Sequence, residues 1–181
     1  MIKAFVVQAF FIQMESMLPT LEPAERVLVS KWSYRFGEPE RGDVVILHDP
    51  KDPCRLDPDR CDKAFASRAA DWLKEIFGLP LGDQKDLVKR IIGLPGEEIS
   101  MEDGRTFIDG EEVELPSSQT GGPQLDGSDL APVEIPEDEY FVMGDNREAS
   151  GDSRAFGTVP RDDLVGRAFV VIWPVGEFRG L

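Results

Sequence analysis

The sequence predicts a mainly β protein, because many short apolar segments are separated by frequent Gly and Pro turns. The chain has 181 residues, 41% apolar and 30% charged, so a single domain with a real core is expected. Acidic residues number 35 and basic residues 20, and the resulting net charge of −15 disfavours nucleic acid as a partner. Two cysteines and one histidine exclude the usual four-ligand zinc sites, so no metal or cofactor is predicted.

The predicted strands are short, rich in β-branched and aromatic residues, and bounded by turn residues. They are Ala4–Ile12, Arg26–Ser30, Asp43–Leu47, Leu87–Ile92, Ile99–Met101, Thr106–Ile108, Tyr140–Met143 and Ala168–Trp173. Thr106–Ile108 lies between the turns Asp103-Gly104 and Asp109-Gly110, which indicates a hairpin region.

One segment departs from the β pattern and predicts an amphipathic helix over Asp62–Phe77. Its apolar residues follow helical spacing and are Phe65, Ala69, Trp72, Leu73 and Ile76. Residues 50–83 therefore form a helical insertion, and residues 98–135 form a small inserted lobe of hairpins and loop. The catalytic β core is expected to comprise residues 1–49, 84–97 and 136–181. The apolar face of the helix could pack on this core or rest on a bilayer, and the sequence favours the core.

Candidate catalytic residues are few, because familiar nucleophile motifs are absent. His48 ends a predicted strand and is interpreted as an exposed loop residue, and neither GxSxG, SxxK nor a Gly-rich phosphate loop occurs. Ser16 follows the first apolar strand and, taken alone, is a turn residue. Lys89 shares a strand face with Leu87 and Ile91, so it is either an edge lysine reaching water or a desolvated amine of lowered pKa. A neutral lysine can accept a proton from a serine hydroxyl.

Four blocks, in order, resemble one family, the bacterial type I signal peptidases. The blocks are Ser16-Met17-Leu18-Pro19-Thr20-Leu21, Arg41-Gly42-Asp43-Val44-Val45, Lys89-Arg90-Ile91-Ile92-Gly93-Leu94-Pro95-Gly96-Glu97, and Gly144-Asp145-Asn146-Arg147 through Ser150, Asp152, Ser153 and Arg154. The resemblance implies a β-rich Ser-Lys endopeptidase that removes signal peptides from preproteins, cutting after small residues in the Ala-x-Ala pattern. It covers nearly the whole chain apart from residues 50–83 and 98–135.

The resemblance also implies individual roles. Ser16 is the expected nucleophile, Lys89 the general base, and Ser150 the hydroxyl that hydrogen-bonds the lysine. The positions that hold the last block against the site are Asp145, Asn146, Arg147, Asp152 and Arg154. The positions around two shallow apolar substrate pockets are Phe10, Ile12, Met17, Leu21 and Val88. Arg90 is expected on the opposite strand face from the base.

Two features differ from the family pattern. Met14 stands where the family has serine or glycine, so a side-chain oxyanion donor is missing and the Ser16 N–H is expected to serve alone. No run reaches the roughly 18 apolar residues of a spanning helix. We therefore expect that Met1 replaces the family's N-terminal anchor, through truncation or a misplaced start. The resemblance implies location at the cell membrane, with the catalytic domain on the extracytoplasmic side.

Some alternatives remain open. Cys54 and Cys61 fit a disulfide in an extracytoplasmic compartment, and two free thiols are the other possibility. The functional alternatives are a self-cleaving repressor domain with the same Ser-Lys chemistry and a non-catalytic β module that binds peptides by strand addition. The chain has no basic patch and no spare length for a DNA-binding domain, which argues against the repressor.

Overall fold

The computed structural model describes residues 7–51, 86–114, 129–174 and 178–181. The predicted helix Asp62–Phe77 and the Cys54–Cys61 pair lie outside these ranges, so both stay predictions. Within the described ranges, no helix has the length and apolar character needed to cross a membrane.

The described chain is mostly strand, which confirms the predicted fold class. The strands are β1 Val7–Phe11, β2 Arg26–Ser30, β3 Val44–His48, β4 Asp86–Gly93, β5 Glu98–Glu102, β6 Arg105–Ile108, β7 Glu111–Glu112, β8 Leu130–Glu134, β9 Glu139–Met143, β10 Val159–Pro160, β11 Leu164–Trp173 and β12 Arg179–Gly180. Single helical turns are α1 Ser33–Phe36 and α2 Ser153–Phe156, with 3-10 turns at Glu15–Met17, Arg147–Ala149 and Arg161–Asp163.

The larger antiparallel sheet has the strand order β1-β2-β11-β3-β4-β9-β10, and β12 pairs with β11. Strand β3 is buried on both faces because the sheet separates two apolar clusters. Val44 and Ile46 belong to the cluster that contains Phe10, whereas Val45 and Leu47 belong to the cluster that contains Ile91. This double cover explains the continuous apolar run in β3, since alternation is expected only where one face meets water.

The smaller sheet has the order β7-β6-β5-β8, and its strands fall within residues 98–134. Its apolar residues, among them Ile99 and Ile108, pack with Ile92, Phe141 and Met143 from β4 and β9. The two sheets therefore share a core around the end of β9. The hairpin predicted at residues 106–108 is present, since β5 and β6 pair in register across the Asp103-Gly104 turn.

Strand β4 has an open edge over its first half. It pairs with β3 from Asp86 to Arg90, whereas its ladder with β9 begins only at Arg90. Among the described residues, Asp86 to Lys89 therefore carry no β9 partner. An unpaired stretch of backbone N–H and C=O groups of this kind is a template for an added strand.

Candidate active site

Ser16 is held in a single 3-10 turn immediately after the first strand. The turn spans Glu15–Met17, and Ser16 and Met17 are buried. The Leu18 N–H donates to the Glu15 carbonyl at 3.1 Å, and the Leu21 N–H donates to the Met17 carbonyl at 2.9 Å. The turn lies against β4, the strand that carries Lys89, and against the turn Arg147–Ala149.

Lys89 is 1% exposed, and this burial decides between the two interpretations of its sequence position. A lysine that reaches water from a strand edge keeps its ammonium group solvated. Burial instead penalises the charged form and lowers the pKa of Lys89 from 10.5 to about 8. Asp152 and Asp145 oppose the shift and Arg154 adds to it, so desolvation is the main cause. The interpretation of Lys89 as an edge lysine that reaches water is therefore wrong, and its burial fits the interpretation as a desolvated side chain of lowered pKa.

Asn146 clamps the peptide groups on both sides of Ser16. Its backbone N–H donates to the Ser16 carbonyl at 3.0 Å, and its Nδ2 donates to the Glu15 carbonyl at 3.2 Å. The Glu15 carbonyl and the Ser16 N–H belong to one planar peptide unit. Asn146 therefore fixes the direction in which the Ser16 N–H points.

The loop after β9 is anchored by an ion pair that is not local to the loop. Asp145 is fully buried and accepts hydrogen bonds from Arg90 Nε at 2.9 Å and Arg90 Nη2 at 2.6 Å. Arg90 Nη1 also donates to the Gly42 carbonyl at 2.7 Å. This forked, charge-assisted pairing joins the loop to β4 and to the turn before β3. The sequence prediction included Asp145 but gave Arg90 no supporting role.

A second pair closes the loop on itself. Arg154 Nε and Nη2 each donate to Asp152 at 2.9 Å, and Nη2 also donates to the Arg147 carbonyl at 2.7 Å. Asp152 caps α2 and accepts the Gly144 N–H at 3.0 Å. Burial raises the pKa of the Asp152 carboxyl, and the hydrogen bond from Gly144 opposes this rise. The loop residues predicted from the last block therefore lie together beneath the Ser16 turn.

Ser150 lies at the centre of these contacts. Gly144 has no room for a side chain, because a Cβ there would lie 2.2 Å from Ser150 Oγ and 2.5 Å from the Ser16 carbonyl oxygen. Ser150 Oγ is buried and makes no hydrogen bond of normal geometry to the described residues, although its proximity lowers the pKa of Asp152. A buried hydroxyl that lacks a well-formed hydrogen bond calls for an explanation.

A groove lined mainly by apolar residues opens beside Ser16. Four of the five predicted substrate-pocket residues line it, namely Phe10, Ile12, Met17 and Val88. The fifth, Leu21, is fully buried in the same apolar cluster and does not line the groove. Met14 also lines the groove and is 45% exposed. Asp86 also lines the groove, although nothing in the sequence pointed to it as a site residue.

His48 takes no part in the contacts around Ser16. It is the last residue of β3 and is exposed, and its Nδ1 lies 2.8 Å from Asp86 Oδ1. His48 is exposed as expected, but it is the last residue of β3 and not a loop residue.

The segment after Ser16 is also fastened to the C-terminal strand. Arg179 in β12 donates to both carboxylate oxygens of Glu25, at 2.7 and 2.8 Å, and to the Thr20 carbonyl at 2.9 Å. Glu25 is 3% exposed, so the pair is largely desolvated on the acidic side. Sequence reasoning missed this contact because 154 residues separate the two partners.

A serine turn, a buried lysine of lowered pKa and a neighbouring apolar groove are features of serine peptidases that use a lysine in place of histidine. The sequence comparisons agree with this class. A family model described as "Signal peptidase, peptidase S26" matches residues 1–173. The chain therefore belongs to the signal peptidase family, peptidase S26, and is a serine peptidase of that family.

Curated relatives carry the same description. The chain is 37% identical to signal peptidase I of Leptolyngbya laminosa over 99% of its own length and 75% of that protein. It is 36% identical to probable signal peptidase I-2 of Synechocystis sp., over 96% of this chain and 66% of that protein. Signal peptidase I of Bacillus licheniformis is 33% identical, over 99% of this chain and 83% of that protein. The predicted family, enzyme class and signal-peptide-processing function are confirmed at this level.

A solved signal peptidase I from Enterococcus faecalis V583 aligns with a TM-score of 0.48 and 23% identity, covering 72% of this chain and 96% of that chain.

Proposed function

We propose that Ser16 and Lys89 form the catalytic pair of a signal peptidase that cleaves preproteins. The observation that carries this proposal is the complete burial of Lys89, with a pKa of about 8, in a strand that contacts the Ser16 turn. A general base acts best when its pKa lies near the working pH. An ordinary exposed lysine would be almost entirely protonated and unable to accept the serine proton.

In the first step, Ser16 Oγ attacks the scissile carbonyl carbon while Lys89 Nζ takes the hydroxyl proton. The tetrahedral intermediate collapses, the C–N bond breaks, and Lys89 returns the proton to the leaving amine. Lys89 then takes a proton from a water molecule as that water attacks the acyl carbon. The bond from the acyl carbon to Ser16 Oγ breaks, Lys89 returns the proton to Ser16 Oγ, and the signal peptide leaves with a new C-terminal carboxyl group. Ser150 orients the lysine in this scheme, and the position of its buried hydroxyl, close to Gly144 and to the Ser16 carbonyl, supports that role.

The oxyanion that forms in the first step is stabilised by the Ser16 N–H. Met14 offers no hydroxyl at the position where a second donor is expected. Asn146 compensates in part, because its bond to the Glu15 carbonyl fixes the same peptide unit and polarises its N–H. Asn146 is thus a positioning residue, and it acts on the substrate through the backbone of Ser16.

The substrate binds extended, along the open edge of β4. Asp86 to Lys89 carry no β9 partner among the described residues, so their backbone groups can pair with the peptide. Phe10, Ile12 and Val88 wall the groove beside Ser16, which favours small side chains at the first and third residues before the cut. The enzyme acts at the membrane, on its extracytoplasmic side, where preproteins emerge.

The catalytic pair is tested with a preprotein substrate and three variants. Ser16→Ala and Lys89→Ala should each abolish cleavage, with circular dichroism unchanged. Lys89→Arg should also be inactive, because guanidinium stays protonated and cannot act as a base. Cleavage by Lys89→Arg at a rate near that of the wild type would disprove the assignment. A peptide-binding module without catalysis would instead bind the preprotein equally well before and after Ser16→Ala and never cut it.

A further inference from the structure

We propose that Asp86 forms an acidic subsite in the substrate groove, which selects a basic residue at the fourth or fifth position before the cut. This inference rests on the proposed function, and it concerns which preproteins the groove prefers. Asp86 and Val88 alternate along β4, so both side chains point to the groove face, and both line the groove with Ser16. Asp86 is the first residue of β4 and pairs with His48.

The position of Asp86 sets which substrate residue it meets. Asp86 precedes Val88 by two residues, which at about 3.3 Å per residue is about 7 Å of strand. A peptide paired with the open edge of β4 advances at the same rate, and residues paired across neighbouring strands share a face. The first and third residues before the cut, which enter the groove, therefore lie level with Val88 and Asp86. The fifth residue shares that face about 7 Å further along and the fourth lies between them, so these are the two positions from which a long basic side chain reaches Asp86 past a small third residue.

The charge of Asp86 stands out in its surroundings. Among the described residues that line the groove, Asp86 alone carries an acidic or basic side chain. The other lining residues include the apolar Phe10, Phe11 and Val88. The Asp86 side chain is 19% exposed, and its remaining polar contact is His48, whose Nδ1 lies 2.8 Å from Oδ1. Apolar walls strengthen the interaction between this carboxylate and a charge on the substrate. A lysine side chain is attracted there, and a glutamate side chain is repelled.

The size of the preference follows from this exposure. A charge pair that is partly open to water contributes on the order of 1 kcal/mol or less, which is a factor of about five. Exchanging lysine for glutamate replaces attraction by repulsion, so we expect about a tenfold ratio of kcat/KM between two such peptides. The effect should fall mainly on KM, because Asp86 does not touch the reacting atoms.

The test uses fluorogenic peptides with Ala at the first and third positions before the cut and Gln, Lys or Glu at the fourth. A second series carries the same three residues at the fifth position. Asp86→Asn removes the charge at nearly constant shape. The matched control is Glu102→Gln, which changes the net charge equally on an exposed residue of the smaller sheet. Asp86→Ser serves as the second variant should Asp86→Asn fail to fold, and His48→Ala shows whether the imidazole contributes.

Wild-type enzyme should cut the Lys peptide about ten times more efficiently than the Glu peptide in one of the two series. The ratio should fall to about one in Asp86→Asn or Asp86→Ser and stay at its wild-type value in Glu102→Gln and His48→Ala. A wild-type ratio near one in both series would overturn the subsite, as would a ratio that survives the loss of the carboxylate. The Gln peptides separate this failure from a failure of the proposed function, because an enzyme of that function cuts them whether or not Asp86 selects charge.

Discussion

Lowering the pH through about 8 should inactivate the peptidase through one group, Lys89. Its pKa is lowered from 10.5 to about 8, mainly by burial. At about pH 7, about 10% of such lysines are neutral, against about 0.03% for an ordinary lysine, so burial supplies about 300 times more free base. Since the neutral form is the base, kcat/KM should rise about tenfold per pH unit below 8 and level off near pH 9.

The assay is a pH profile of kcat/KM on one uncharged peptide, from about pH 6 to about pH 10, at constant ionic strength. The neutral fraction of Lys89 predicts an increase of about 90-fold between pH 6 and pH 9. His48→Ala is the control, because histidine is the other side chain that commonly titrates in this range. The midpoint should not move in that variant. A profile that still climbs tenfold between pH 9 and pH 10, or a midpoint that disappears in His48→Ala, would refute the assignment of Lys89 as the base.

Three further substitutions, the first with Gly93→Ala as its control, test the packing and electrostatics of the site. Gly144→Ala should lower kcat by at least about tenfold, because its Cβ would lie 2.2 Å from Ser150 Oγ. In the control Gly93→Ala, the new Cβ would lie 2.3 Å from the end of the Ile135 side chain, so the melting temperature should fall while kcat is unchanged. Met14→Ser should raise kcat by about tenfold or more, since it offers a second oxyanion donor; an unchanged kcat would show that the site has no place for one. Arg90→Met should reduce the free energy of unfolding by about 3–5 kcal/mol, because it leaves the Asp145 carboxylate buried without its partner. Thermal melts measure this loss, and a smaller loss would show that the loop after β9 opens to let water reach Asp145.

The sequence pattern predicted the long strands well because burial on one or both faces leaves a periodic signal. It missed β7 and β8 for physical reasons. Strand β7 is two exposed glutamates, and β8 lies at the edge of its sheet and contains Pro132, which edge positions tolerate. Strand β11 begins at Leu164, four residues before the predicted start. Gly166 lies within this extension, where only glycine fits, since a Cβ would lie 2.4 Å from the Ser30 carbonyl oxygen.

The site was predictable only where its residues fall into contiguous motifs. Ser16, Lys89 and the loop after β9 each belong to such a block. Arg90 was visible in the sequence, but its partner Asp145 is 55 residues away, so the pairing needed the fold. Asp86 carries no local signal, because one aspartate at the start of a strand is ordinary. Asp86 becomes a candidate site residue only once the strand register and the open edge of β4 are known.

The attachments of the Ser16 turn also bear on the order in which the enzyme is synthesised. Ser16 is made early, but the bonds that fix its turn come from Asn146, and the segment that follows it is tied down by Arg179. A nascent chain lacks Asn146 until the 130 residues that separate it from Ser16 (146 − 16 = 130) have been made, so Ser16 has no fixed geometry before then. Proteolytic activity is therefore expected only after the loop that carries Asn146 has been synthesised and has folded.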